Sequence, residues 1–153
     1  MEYGRIEREF SIDASPEVVF EVISSPAHIR EWWQAESTIE PVPGAVRELW
    51  WGDKADGAQV VSITVVDAER PRLFSFRWTY PTGEVAAVGN SLLVSFELVP
   101  SGAGTLVRLT EDGFREMGWE AAVLEEQYKE HAAGWDMHFA GLRDYLTKLP
   151  SSR

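Results

Sequence analysis

The sequence predicts an α+β domain: a curved antiparallel β-sheet gripping a long C-terminal helix, with two short helices after strand 1. Three observations predict it. From about Trp119 to Leu149, Leu124, Tyr128, His131, Trp135, Phe139, Leu142 and Leu146 recur at three-four spacing, the stripe of an amphipathic helix. Between residues 45 and 111, short runs alternate apolar and polar residues and are separated by turn residues, as in an antiparallel meander. A lone alternating run opens the chain, followed by two short helical stretches. The apolar face of such a meander must be covered. A helix of about 30 residues, ~45 Å long, is enough to cross it.

Taken in order, Arg5 to Ile12 sets Ile6, Phe10 and Ile12 against Glu7, Glu9 and Ser11, which is strand behaviour. Ser15-Pro16-Glu17 starts a helix, with Ser15 as cap, Pro16 in the first turn and Glu17 at the positive end. Ser24-Ser25-Pro26 interrupts it, and Ala27 to Trp33 forms a second. After the Pro41–Gly44 turn come strands at Ala45 to Trp51 and Gln59 to Val66, joined by the polar loop Gly52–Gly57. Arg70-Pro71 breaks the pattern, and Leu73 to Tyr80 then places Phe74, Phe76, Trp78 and Tyr80 on a single face. Pro81 to Gly89 is a looser connection. Ser91 to Val99 and Thr105 to Glu111 complete the sheet, the latter presenting Val107 and Leu109. No repeat, low-complexity stretch or linker divides residues 1–153, so one domain is expected.

Composition narrows the function. A net charge of −11 opposes binding to a nucleic-acid backbone or an anionic membrane, and it suits solubility. The chain has no cysteine, so disulfides, thiol nucleophiles and thiolate metal sites are excluded. No apolar run approaches the ~20 residues of a membrane span, and Met1 to Arg5 lacks a signal-peptide core. A cytoplasmic location is expected.

Three stretches carry a resemblance. Ser15-Pro16-Glu17-Val18-Val19-Phe20 with Trp32-Trp33, then Phe76-Arg77-Trp78, then Gly134-Trp135 with Phe139, Leu142 and Tyr145-Leu146 stand in the order seen in the START-like, helix-grip superfamily, also called SRPBCC. Within it the chain is similar to the family related to the C-terminal domain of the Aha-type activator of the heat-shock-protein 90 ATPase. The resemblance implies a cavity between helix and sheet. It further implies one of three roles: carriage of a hydrophobic molecule, a co-chaperone-like interaction linked to stress response, or cyclase/lyase-type catalysis. The co-chaperone has a separate N-terminal domain that takes part in ATPase activation; this sequence opens on the first strand of the helix-grip domain, so activation itself is not implied. Fold alone does not choose among these.

The leading expectation is a small hydrophobic ligand held by Phe76, Trp78, Phe96, Trp135 and Phe139, with His131 or His138 as polar anchor and Trp32 and Trp33 near the entrance. The same aromatics also suit an ordinary core. On this expectation Trp135→Ala weakens binding and leaves the fold intact. His131 and His138, seven apart, are ~10 Å apart along a helix, too far for one metal ion, so neither a metal nor a cofactor is expected. His28 is expected near the cavity mouth. Hydrolase, phosphate-loop and dinucleotide motifs are missing, so no catalytic residue is assigned. The acid–base candidates are His131, His138, Glu48 and Tyr80. Arg8, on the inward face of the first strand, is expected to reach the rim; turned inward it would meet Glu48 or an anionic ligand. Gly134 and Gly141 are expected to pack against the short helices. Expected partners are the small ligand, a chaperone or other protein as the alternative, and a second copy if the protein is a homodimer rather than a monomer.

Overall fold

Seven strands form one antiparallel sheet in the order β1-β7-β6-β5-β4-β3-β2. The strands are β1 (Arg5–Ile12), β2 (Glu36–Ser37), β3 (Val46–Trp50), β4 (Val60–Glu69), β5 (Leu73–Trp78), β6 (Leu92–Ser101) and β7 (Gly104–Asp112). Two short helices, α1 (Pro16–Ser24) and α2 (Pro26–Trp32), follow β1, and α3 (Ala121–Lys148) closes the chain. The structure is a computed structural model that describes residues 3–81 and 83–149. The outermost residues of the expected 1–153 domain, and Thr82 of the Pro81–Gly89 connection, lie outside the described residues.

The local chemistry explains the elements. Ser15 Oγ accepts from the Val18 backbone N–H at 3.2 Å, and Pro16 occupies the first turn of α1. Pro26 then starts α2, so the interruption at Ser25 is a restart rather than an end. α3 begins two residues later than its apolar stripe suggests. Phe114 leads into a short 3₁₀ turn, Arg115–Met117, which Gly118 ends at φ +74°, and Glu120 takes the extended N-cap position.

Three corrections concern the sheet. β4 does not stop at Val66: a bulge between Val65 and Asp67 lets pairing continue to Glu69, with Ser75 Oγ bridging the Asp67 backbone N–H and carboxylate. β5 stops at Trp78, because Thr79 adopts φ +65° and turns the chain over. Tyr80 therefore leaves the Phe74–Phe76–Trp78 face, and its hydroxyl meets Thr64 Oγ1 at 2.7 Å on the opposite side. β2, which pairs with β3, had no periodicity long enough to announce it.

The core lies between the inner face of the sheet and the helices. From β1 come Ile6 and Phe10; from β5, Phe74, Phe76 and Trp78; from β7, Val107 and Leu109; and from α3, Trp135, Phe139, Leu142 and Leu146. Arg8 sits among these positions but reaches the rim, where Nε donates to Asp136 Oδ1 of α3 at 2.7 Å. Glu48 is not its partner. It lies across from Ser62 on the other face and pairs with Lys54 at 3.0 Å. The two helix glycines also differ. A Cβ on Gly141 would stand 3.2 Å from the Trp32 carbonyl, whereas a Cβ on Gly134 would meet open space. Gly134→Ala is thus expected to stabilise the fold by ~1 kcal/mol through helix propensity, while Gly141→Ala loses that gain against the α2 backbone. Urea unfolding of the two variants checks the contrast.

Candidate functional site

The alternation of β7 turns Glu111 inward after Val107 and Leu109, between Ile6 of β1 and Val94 of β6. Its side chain is 0% exposed. A bare carboxylate there would be costly, and three N–H groups offset the cost. Trp78 Nε1 donates to Oε2 at 2.7 Å, and Trp135 Nε1 donates to Oε1 at 2.9 Å. His131 Nδ1 spans both oxygens at 2.9 and 3.0 Å. The indoles can only donate, so the arrangement complements a carboxylate. The carboxylate only accepts, so the Nδ1 that faces it carries a proton and Nε2 is the ring nitrogen left for other contacts.

Beside this group lies a pocket of about 200 Å³, lined by Trp33, Trp51, Trp78 and Trp135, by His131 and His138, and by Gly134 and Glu130. Trp33 is its centre: its ring lies 5.4 Å from Trp135, 5.6 Å from Trp78 and 5.9 Å from Trp51. Trp51 stands at 77° to it as a side wall and donates its N–H to the Trp33 carbonyl at 3.1 Å. His138 meets Trp33 at 6.5 Å between centroids. A larger depression, about 590 Å³, lies on the outer face of the sheet among Glu7, Glu9, Glu97 and Arg108. Arg108 pairs there with Glu9 and Glu97 at 3.5 Å each, and charged side chains make up most of its lining, with Leu73 and Leu109 between them. The indole-lined pocket is therefore the candidate site.

Burial holds the His138 pKa below its ordinary value of 6.5. Protonation then favours the unfolded chain, so the stability His138 contributes is complete above pH 6.5 and is lost as the pH falls below it. In His138→Gln the decline of the urea midpoint below pH 6.5 should be shallower than in the parent. Chemical-shift titration of the ring checks the direction independently.

Of the expected ligand-binding residues, Trp33, Trp78, His131, Trp135 and His138 meet at this pocket. Phe76, Phe96 and Phe139 lie behind it, at most 6% exposed: Phe76 against Trp78, Phe96 against Trp135, and Phe139 on Phe10. Trp32 is core rather than entrance; it stacks on Trp33 at 5.2 Å and donates to the Val22 carbonyl. His28 is held by the Tyr145 hydroxyl at 2.6 Å, away from the pocket. Sequence reasoning missed Trp51 and Glu111. The signal for Glu111 was present, since it continues the inward parity of Val107 and Leu109. Among the described residues no helix is long and apolar enough to cross a membrane, and no group of three or more His, Asp or Glu side chains could hold a metal ion.

A family model described as Activator of Hsp90 ATPase homolog 1-like protein matches residues 13–147. No curated protein matches the chain. Among solved structures, protein MLL2253 from Mesorhizobium loti superposes with a TM-score of 0.74 at 20% identity, over 95% of this chain and 98% of that one. The Aha1 dimer from Colwellia psychrerythraea gives 0.71 at 17%, over 94% and 96%. CalU16 from Micromonospora echinospora gives 0.66 at 20%, over 97% and 81%. At such identities the likeness speaks for the START-like fold alone.

Proposed function

Because this chain belongs to the family of Activator of Hsp90 ATPase homolog 1-like proteins, whose fold sets one long helix against a curved sheet, we propose that it binds a small, largely apolar molecule between α3 and the sheet. The observation that carries this is the meeting of four indoles at an open pocket of about 200 Å³ beside a fully buried, fully hydrogen-bonded carboxylate. Ligand sites combine apolar walls with a few fixed polar groups. Here the indoles are the walls, and His131, oriented by Glu111, is the fixed polar group. Native mass spectrometry of protein purified without added ligand tests the proposal: a retained small molecule is expected, and Gly134→Leu, which extends a side chain into open space, should lose it. Trp51→Ala, at a half-buried ring, should weaken retention at least fivefold with little change in melting temperature. Retention unaltered in both variants would move the site elsewhere.

The Glu111–His131 pair favours a second reading, acid–base catalysis on a bound substrate. Glu111 would fix the Nδ1 proton and leave Nε2 to take a proton from an activated C–H or O–H. Deuterium exchange into small aromatic ketones, faster with the parent than with His131→Gln, would support it; equal rates would remove it. The family's name keeps a co-chaperone-like interaction as a third reading. It requires binding to a chaperone that survives Gly134→Leu.

A further inference from the structure

We propose that the pocket selects an organic cation, a quaternary ammonium or protonated amine group of trimethylammonium size, over a neutral molecule of the same shape. This rests on the small-molecule reading and names its ligand class. Tryptophan is the strongest side-chain partner for such a cation, which is held over the faces of aromatic rings. Trp33, Trp51, Trp78 and Trp135 all present rings to the same space.

The charges point the same way. Among the described residues no lysine or arginine lines the pocket, and Glu130, exposed on α3, stands at its mouth. Behind the wall, Glu111 takes the N–H groups of Trp78 and Trp135 at 2.7 and 2.9 Å. An indole that donates to a carboxylate becomes more electron-rich on its faces, which are the surfaces a cation meets. With His131 neutral, Glu111, His131 and Glu130 together carry two negative charges; with it protonated they still carry one. His138, which burial disfavours as a cation, does not offset this at pH 8. Lys54, three residues from Trp51 in the chain, is engaged on the other face, over the Trp50 ring at 4.0 Å and with Glu48 at 3.0 Å. A cation would in addition be drawn by the charge of Glu111, which is held at 0% exposure beside the pocket.

The test uses choline and 3,3-dimethyl-1-butanol, which share a shape and differ in the charge at the branched centre, together with phenol as a neutral ring. Each is titrated at pH 8 while the indole N–H resonances are followed. Choline is expected to shift Trp33, Trp51, Trp78 and Trp135 and to bind at least tenfold tighter than the alcohol. Glu130→Lys, an exposed change, should weaken choline at least fivefold and by much more than it weakens the alcohol. Binding of the alcohol or phenol as tightly as choline overturns the cation preference and leaves the small-molecule reading standing. No response to any of the three overturns both.

Discussion

Glu111→Gln is expected to destabilise the fold by ~3–5 kcal/mol, the usual cost of breaking a buried charged network from one side. Each carboxylate oxygen receives an indole N–H and shares the imidazole N–H. An amide keeps one of those oxygens and replaces the other with an NH₂. Whichever way it turns, a donor then faces the N–H of Trp78 or Trp135, and that indole is left unsatisfied at ~1–3 kcal/mol. The removed charge accounts for the rest. In a chain of this length the loss lowers the melting temperature by roughly 6–20 °C. Calorimetry reads it directly, and a shift under 2 °C would show that Glu111 is not held by these donors.

Trp135→Ala should be at least as damaging. The ring is 3% exposed and packs on Trp33, Trp78 and Phe96, so its removal costs ~3–5 kcal/mol in lost packing and cavity. The carboxylate also loses a donor, which adds ~1–3 kcal/mol. This replaces the simpler expectation from sequence, that Trp135→Ala spares the fold: the residue is wall and core at once. Trp135→Phe keeps most of the ring and isolates the N–H, so it should cost only the second part. A cycle combining Trp135→Phe with Glu111→Gln should show coupling of ~1–3 kcal/mol. Additive effects would mean that the two do not share a hydrogen bond.

The architecture was legible because it is written in period. The three-four stripe of α3 and the alternation of β4 to β7 each require only one element to be read at a time. Failures came where one residue overrides the pattern. Thr79 at φ +65° sends Tyr80 to the wrong face for its parity, and the bulge after Val65 lengthens β4. The site was half legible. Trp33, Trp78, Trp135, His131 and His138 stand out by type, in a chain with seven tryptophans and three histidines. Glu111 does not stand out among 25 acidic residues, and its meaning comes from donors 33 and 24 positions away on β5 and α3. Arg8 was placed correctly at the rim, but its partner Asp136 depended on how α3 lies across β1. Trp51 read as the end of a strand; only the fold brings it onto Trp33.

The central claim is that small molecules bind at the indoles around Glu111. The most direct measurement is a screen of small aromatic and ammonium fragments against ¹⁵N-labelled protein, following the side-chain N–H signals of its seven tryptophans. The account predicts binders that move Trp33, Trp51, Trp78 and Trp135 together, leave Trp50 and Trp119 unmoved, and lose their effect in Gly134→Leu. Binders that act equally on Gly134→Leu, or that move only resonances away from this pocket, would contradict it.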